Sequence, residues 1–154
     1  SRVVLLKKYT SEGFIFYTNY NSEKGKAIAN NNNICLSFFW PALEQQIIIK
    51  GNAEILEENL SDGYFKSRPD GSKLGAWASN QSKAVNSREE LEQSLKSFEK
   101  KFEGIEIERP KHWGGYLVKP ISIEFWQGRP NRMHDRIRYT LEQDFSWKIE
   151  RLAP

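Results

Sequence analysis

The densest concentration of chemically active side chains lies between Glu124 and Arg136. This stretch packs three arginines, a histidine and a tryptophan around a glycine–proline turn. Burying so many donors is costly unless anions or an acceptor-rich ligand satisfy them. If the segment is strand-like, Arg132, His134 and Arg136 share one face and can contact one ligand together. The alternative is a solvated loop whose arginines pair with Asp135 and Glu124, and the residues alone leave both interpretations open.

A second cluster lies between Tyr64 and Ser72. Tyr64, Arg68 and Ser72 supply a phenol, a guanidinium and a hydroxyl beside the end of a predicted helix, and such donors bind phosphate monoesters. A helix C-terminus with a basic cap would give the same pattern. Arg2 and Lys7 form a weaker pair, because residues five apart on a strand point to opposite faces. They would hold one anion together only if the strand bends.

The composition is that of one globular domain. Of the 154 residues, 38% are hydrophobic and 28% charged, and no apolar run approaches the roughly 18–20 residues of a membrane helix. The net charge of +3 is too small to indicate a nucleic-acid partner. The single cysteine, Cys35, lies in an apolar run and is predicted to be an inert core thiol. It suits a reducing compartment, so we expect a cytoplasmic protein, and one cysteine with two histidines gives no metal-ligand spacing.

The pattern of β-branched and aromatic residues predicts a mainly β protein. Eight short runs with tight polar connections favour an antiparallel barrel over a parallel sheet. The predicted strands are Arg2–Lys8, Phe14–Asn19, Ile34–Trp40, Gln46–Leu56, Trp113–Lys119, Ser122–Gln127, Arg136–Leu141 and Trp147–Leu152.

A few helices interrupt the strands. Ser87 and Glu90 form a capping box, after which Leu91, Leu95, Phe98 and Phe102 make one apolar stripe. Ser22 is predicted to cap a short helix, and another helix should stop before Pro69. The three further predicted helical segments are Lys24–Asn31, Leu60–Ser67 and Leu74–Ser79.

Several motifs match a known family in order along nearly the whole chain. They are Arg2-Val3-Val4-Leu5-Leu6-Lys7, Phe16-Tyr17-Thr18-Asn19, Tyr64-Phe65 with Ser67-Arg68-Pro69, Gly75-Ala76-Trp77 with Gln81-Ser82, Trp113-Gly114-Gly115, Glu124-Phe125-Trp126-Gln127-Gly128, Arg132-Met133-His134-Asp135-Arg136 and Glu150-Arg151-Leu152-Ala153-Pro154. The sequence thereby resembles the pyridoxine/pyridoxamine 5'-phosphate oxidases, and the last three motifs are the most specific.

The resemblance implies a mainly β FMN-binding split β-barrel with a few helices, forming a single domain over residues 1–154. It implies a homodimer with two flavin sites at the interface. The FMN contacts that it implies are Arg2, Val3, Val4, Leu5, Leu6, Lys7, Tyr17, Thr18, Lys24, Gln46, Gln81, Ser82, Trp126 and Arg136. The implied contacts to the phosphate of the substrate are Lys7, Tyr64, Arg68 and Ser72. Arg132 and His134 would face the pyridine ring as the catalytic residues. Because such a site holds two phosphates, Arg2 and Lys7 need not share one anion.

The implied activity is oxidation of pyridoxine or pyridoxamine 5'-phosphate to pyridoxal 5'-phosphate, with molecular oxygen reduced to hydrogen peroxide. The alternatives are a flavoprotein of the same fold with another substrate, such as a phenazine-pathway oxidase, and a non-catalytic flavin- or pyridoxal phosphate-binding module. Two departures from the family are expected to matter. Glu23 replaces a cationic contact to the FMN phosphate, and the N-terminal arm that helps to close the substrate site is expected to be absent.

Overall fold

The computed structural model describes all 154 residues. The chain forms seven strands and four α-helices, with two short 3-10 turns at Pro41–Leu43 and Pro130–Arg132. In chain order they are β1 (Leu6–Tyr9), β2 (Phe14–Asn19), α1 (Glu23–Asn30), β3 (Asn33–Trp40), β4 (Gln45–Ile55), α2 (Glu58–Lys66), α3 (Asp70–Ala78), α4 (Arg88–Lys101), β5 (Trp113–Gln127), β6 (Asp135–Leu141) and β7 (Trp147–Arg151). None of the helices is long and apolar enough to cross a bilayer.

All seven strands belong to one antiparallel sheet, which confirms the predicted mainly β class. The order is β1-β2-β5-β4-β3, and β6 and β7 continue the sheet from β5. The strands β1, β3 and β7 have one neighbour each, so the sheet is not closed into a ring. The long strand β5 is the axis of the fold, because its first half pairs with β2 and its second half with β6.

The predicted break at Lys119-Pro120 is wrong, since the two runs on either side form the single strand β5. Proline lacks the N–H that a ladder needs, and it is tolerated within a sheet at a bulge. The register between β4 and β5 shifts at Lys50/Gly51, opposite Pro120. A Cβ on Gly51 would lie 2.2 Å from the carbonyl oxygen of Lys119. Gly51 therefore allows β4 to lie close to β5 at Pro120, so that β5 continues past its proline.

Two other predictions need correction. The first strand extends over Leu6–Tyr9 only, because Leu6 is the first residue that pairs with β2. Cys35 is exposed rather than buried in the core. It lies on the edge strand β3, where its side chain points to the face opposite the half-buried Ile34 and Leu36.

The predicted N-caps of α1 and α4 are confirmed. The Ser22 hydroxyl accepts a hydrogen bond from the Gly25 N–H, and the Ser87 hydroxyl accepts one from the Glu90 N–H. The return bond of the predicted capping box differs, because the Glu90 carboxylate accepts from the Asn86 N–H instead. Further along α4, the apolar stripe packs Phe98 and Phe102 on Trp77 of α3.

Candidate functional site

The end of β2 and the first turn of α1 bring together a compact set of donors. The Lys24 ammonium donates to the Thr18 hydroxyl at 2.9 Å and to the Gln81 side-chain oxygen at 2.7 Å. Thr18 is buried, with 5% of its surface exposed. Burial, together with the nearby charge of Arg2, lowers the pKa of Lys24. The Lys24 ammonium is therefore partly desolvated, and a ligand rich in hydrogen-bond acceptors would stabilise its charge.

The close approach of α1 to β2 depends on Gly25. A Cβ at this position would lie 2.2 Å from the carbonyl oxygen of Tyr20, so a larger residue would push the helix away. Next to this turn, a cleft of about 350 Å³ separates α1 from the N-terminal segment. In it the Arg2 guanidinium donates to the Glu23 carboxylate at 2.9 Å. Glu23, the acid that departs from the family pattern, thus pairs with Arg2, which is one of the predicted FMN contacts.

A stack of aromatic rings continues from this cluster towards α2. The Tyr17 ring lies 4.0 Å from the Tyr64 ring and 5.4 Å from the Trp113 ring, centroid to centroid. The Arg68 guanidinium also lies over the indole, with its central carbon 4.5 Å from the ring centroid. The Arg68 Nη1 atom is buried without a hydrogen-bond partner, and burial lowers the pKa of this side chain. An unpaired buried guanidinium donor is costly, so this position favours an anion.

Three other predicted ligand contacts make no side-chain hydrogen bond or ion pair within the protein. Lys7 is exposed on β1, and its ammonium has no hydrogen bond or ion pair within the chain. Ser72 is exposed in the first turn of α3, close in sequence to Arg68. Ser82 is exposed in a turn with a φ of 71°. These side chains are free to bind a ligand.

A second group of predicted contacts lies in one row across three strands. Gln46 pairs in register with Trp126, and Trp126 pairs with Arg136. The Arg136 Nε atom donates to the Glu124 carboxylate at 2.7 Å, and its Nη1 atom donates to the carbonyl oxygen of Ala153 at 3.0 Å. The bond to Glu124 raises the pKa of Arg136. The row therefore presents an indole, an amide and a firmly charged guanidinium on one face.

The turn before β6 carries the two predicted catalytic residues, and it is not a strand. Arg132 lies in a 3-10 turn with a φ of 60°, and β6 begins only at Asp135. The prediction that Arg132, His134 and Arg136 share a strand face is therefore wrong. The His134 ring packs 4.9 Å from the Trp126 ring, and its Nδ1 atom accepts a hydrogen bond from the Arg129 N–H at 3.1 Å. His134 thus joins the second group by packing rather than by strand alternation.

The solvated-loop alternative describes two of the three arginines of this segment. Arg129 pairs with Asp135 at 2.8 Å, and Arg136 pairs with Glu124. Arg132 is exposed and makes no hydrogen bond or ion pair. It is the one guanidinium of the stretch that remains available to a ligand.

The two groups lie at opposite ends of β5. Gly114 pairs with Thr18 at the start of the strand, whereas Trp126 pairs with Arg136 near its end. The twelve residue-to-residue steps from Gly114 to Trp126 would span about 40 Å in a straight strand at roughly 3.3 Å per residue. At such a separation, a ligand the size of a mononucleotide would contact only one of these groups within a single chain.

The chain was compared with known proteins. Residues 2–102 match the family model described as pyridoxamine 5'-phosphate oxidase, and residues 113–154 match the model described as the pyridoxine 5'-phosphate oxidase C-terminal dimerisation region. The chain belongs to the pyridoxine/pyridoxamine 5'-phosphate oxidase family.

Curated relatives carry the family name at high identity. The pyridoxine/pyridoxamine 5'-phosphate oxidase of Flavobacterium psychrophilum is 70% identical over the whole chain, which covers 72% of that protein. That of Flavobacterium johnsoniae is 67% identical over 99% of the chain and 72% of that protein.

Two solved structures share the fold. PhzG of Burkholderia lata, in complex with tetrahydrophenazine-1-carboxylic acid, has a TM-score of 0.91 at 30% identity, covering 99% of this chain and 74% of that one. A pyridoxamine 5'-phosphate oxidase-related, FMN-binding protein of Nostoc punctiforme has a TM-score of 0.75 at 15% identity, covering 99% and 80%. These likenesses confirm the predicted fold, that of the FMN-binding split barrels.

Two side chains of this site were not assigned a role from the sequence. Trp113 was noted only as part of a family motif, and Glu124 only as a possible partner of the nearby arginines. A tryptophan followed by two glycines at the start of a strand was the one available signal for the first. Its contact with Arg68 is tertiary and has no trace in the local pattern.

Proposed function

We propose that this protein is an FMN-dependent oxidase that converts pyridoxine or pyridoxamine 5'-phosphate to pyridoxal 5'-phosphate, reducing oxygen to hydrogen peroxide and, with the amine, taking up water and releasing ammonia. The observation that carries the proposal is the buried, unpaired Nη1 atom of Arg68. It lies on the same helix end as Tyr64, in a chain that belongs to this family. A guanidinium that lacks a carboxylate partner suits the phosphate that distinguishes these substrates from the free vitamins.

The first group of donors fits FMN. Lys24, Thr18 and Gln81 converge within hydrogen-bond distance of one another. A desolvated ammonium among neutral donors and acceptors is a suitable environment for a phosphate or for the polar edge of a flavin. Arg136, Trp126 and Gln46 supply a complementary set from the other end of β5.

The separation of the two groups supports a homodimer in which each site takes one group from each subunit. Only 20 of the 154 residues are buried in the single chain. Large apolar side chains such as Phe39, Leu43 and Phe125 remain exposed on or beside β3 and β5. A second copy would cover them. The family model over residues 113–154 is described as a dimerisation region, in agreement with this arrangement.

FMN, when bound, would supply the redox chemistry, namely hydride acceptance from the substrate and electron transfer to oxygen. The protein binds and orients the substrate. Lys7, Tyr64, Arg68 and Ser72 would hold its phosphate, and Arg132 would lie against its ring. Fixing the ring in this way makes the transfer effectively unimolecular, an effect worth up to roughly 7–11 kcal/mol in well-oriented systems.

The hydrogen bonding of His134 determines which of its ring nitrogens carries the proton when the ring is neutral. Its Nδ1 atom accepts the hydrogen bond from the Arg129 N–H, so the neutral imidazole carries its proton on Nε2. We propose that this Nε2–H donates to the hydroxyl of the substrate ring. Arg132 and His134 are the catalytic residues of the proposal.

The visible spectrum of the purified protein tests this function directly. Flavin bands should be present, and anaerobic pyridoxamine 5'-phosphate should bleach them. Admitting oxygen should restore the bands and release hydrogen peroxide in an amount equal to the aldehyde formed. A protein without flavin, or one whose flavin neither phosphorylated vitamer reduces, would contradict the proposal.

One observation favours a second candidate, an oxidase of a phenazine precursor. The PhzG structure superposes with a TM-score of 0.91 and binds a tetrahydrophenazine. The donors Lys7, Tyr64, Arg68 and Ser72 favour a phosphorylated substrate instead. The same anaerobic titration with a reduced phenazine carboxylate separates the two, and a flavin that no substrate reduces would indicate a non-catalytic binding module.

A further inference from the structure

The motif Trp113-Gly114-Gly115 opens β5 and has no role in the function proposed above. Trp113 is buried, with 8% of its surface exposed. Its indole contacts both the Tyr17 ring, which lies beside the first group of donors, and the guanidinium of Arg68. It stacks with Tyr17 and makes a cation–π contact with Arg68, and so links these two side chains.

Arg68 has no acidic partner, and its fixed position therefore needs another cause. The guanidinium carbon lies 4.5 Å from the Trp113 ring centroid and 5.5 Å from that of Phe65. A guanidinium stacked on a ring uses its flat face, so the N–H groups on its edge stay free. A carboxylate partner would occupy those N–H groups and cancel the charge. The ring holds the cation and leaves it able to bind an anion.

Trp113 is itself held from several sides. Its backbone N–H donates to the Pro110 carbonyl oxygen at 3.0 Å, and its backbone carbonyl oxygen accepts from Arg109 Nη1 at 2.7 Å. Arg109 is fixed in turn by Asp62 at 2.6 Å. The fully buried Phe65 packs edge-on against the indole, with ring centroids 5.2 Å apart. The indole is thus a rigid support.

The second glycine of the motif makes room for the rest of the stack. A Cβ on Gly115 would lie 2.9 Å from the Tyr17 ring. Without it, Tyr17 lies nearly parallel to Trp113, at an interplanar angle of 9°, and Tyr64 lies nearly parallel to both. The motif therefore orders a predicted cofactor contact and two predicted substrate contacts on one aromatic support.

We infer that Trp113 is a positioning residue of the substrate-phosphate site, which acts by holding the Arg68 guanidinium against its indole face and so leaves the N–H edge of Arg68 without a protein partner and available to the phosphate. The inference rests on the proposed function, because it takes the ligand of Arg68 to be the phosphate of the vitamer. It predicts that replacing Trp113 weakens the binding of phosphorylated ligands more than the binding of FMN or of unphosphorylated ligands.

The test uses the FMN-loaded protein and the variants Trp113→Leu and Trp113→Phe. Binding of pyridoxal 5'-phosphate and of pyridoxal is titrated through the flavin spectrum, and steady-state oxidation of pyridoxine 5'-phosphate gives KM and kcat. Trp113→Leu should raise Kd and KM for the phosphorylated compounds about 3- to 30-fold, the range that cation–π contacts cover. The value of kcat and the Kd for pyridoxal should change by about twofold or less.

Trp113→Phe keeps a ring with a weaker cation–π face, so about a two- to fivefold rise is expected. This variant decides the matter if Trp113→Leu does not fold. Tyr116→Leu is the matched control, because Tyr116 is a buried aromatic of the same strand that does not contact Arg68. It should leave the preference for phosphorylated ligands unchanged.

Wild-type affinity for pyridoxal 5'-phosphate in both Trp113 variants would overturn the inference. So would an equal loss of affinity for pyridoxal and its phosphate, matched by the same loss in Tyr116→Leu, because that is the result of general destabilisation. Arg68→Ala separates this failure from that of the proposed function. If Arg68→Ala keeps the full preference for the phosphate, the assignment of the phosphate site itself is wrong.

Discussion

The two ends of β5 carry the two halves of the proposed site, and they are built differently. At the first end, Thr18, Lys24 and Gln81 are hydrogen-bonded to one another, and Trp113 stacks with the rings beside them. At the second end, Arg132 is exposed and unpaired in a turn outside any strand. The first half is organised by the core of its own chain, whereas the second half is an open surface.

This difference indicates which half needs the partner subunit. Burial and stacking fix the first group before any ligand arrives. In the second group Arg136 is fixed through Glu124 and the Ala153 carbonyl, and His134 through Trp126 and the Arg129 N–H, whereas Arg132 has no partner. The turn that holds Arg132 includes two non-glycine residues with positive φ, Asn131 and Arg132, a conformation that costs about 1 kcal/mol per residue unless its surroundings support it. A partner subunit and a bound flavin are the natural support.

Mixing two defective variants would test this division most strongly. Arg68→Ala damages the first end and Arg132→Ala the second, so a mixed dimer should contain one site with both ends intact. Random exchange would restore about a quarter of wild-type activity, because half of the dimers are mixed and each has one good site. Activity is measured after subunit exchange, with Arg68→Ala plus Tyr64→Ala, two changes at the same end, as the control that should restore nothing. Activity that stays at the average of the two parents would contradict a shared site.

The Arg132→Ala variant alone should separate chemistry from cofactor binding. Loss of one partner of a charge-assisted ligand contact costs about 2–5 kcal/mol, so kcat/KM for pyridoxamine 5'-phosphate should fall roughly 30-fold or more. The spectrum of the bound flavin should stay the same. Arg132→Lys should recover little, since an ammonium cannot lie flat on a ring as a guanidinium does. Stopped-flow reduction measures the effect, and a loss of flavin from Arg132→Ala would show that the residue contacts the cofactor.

Arg136→Ala should have the opposite effect at the same end of the strand. Its guanidinium lies in the row with Gln46 and Trp126, and removing it should weaken FMN binding about tenfold, equivalent to roughly 1.4 kcal/mol. Excess FMN should restore part of the activity. Recovery of flavin fluorescence on dilution measures the release. Arg138→Ala is the control, because Arg138 lies on the same strand and pairs with Glu150. Retention of FMN by Arg136→Ala would contradict the assignment.

The sequence predicted local structure well where local chemistry decides it. The bounds of Phe14–Asn19 are confirmed, as is the cap of α1 by Ser22. The continuity of β5 could not be predicted, because a proline such as Pro120 normally indicates the end of a strand. The strand continues here because a bulge opposite Gly51 accommodates the proline.

The site illustrates the same limit. The family resemblance supplied its residues, but the separation of Thr18 from Trp126 depends on strand register, which no local pattern contains. The free Nη1 of Arg68 likewise depends on Trp113, a contact between residues distant in the sequence. Strand alternation cannot place Arg132, because this residue lies in a turn ahead of β6.

The smallest expected effect concerns Glu23, at the first end. Its carboxylate accepts from Arg2 at 2.9 Å, with both side chains more than half exposed. If Arg2 contacts the FMN phosphate, Glu23 competes for that guanidinium and repels the phosphate. Glu23→Arg should therefore tighten FMN binding, but exposed charge contacts contribute only about 0.2–1 kcal/mol, which is up to about fivefold in affinity. Glu23→Gln should give a smaller gain, and both gains should shrink as salt rises. Flavin fluorescence titrations at low and high salt measure them. Equal affinities at low salt would mean that Arg2 and Glu23 act only on each other, and that the first end binds FMN through Lys24 and its neutral neighbours.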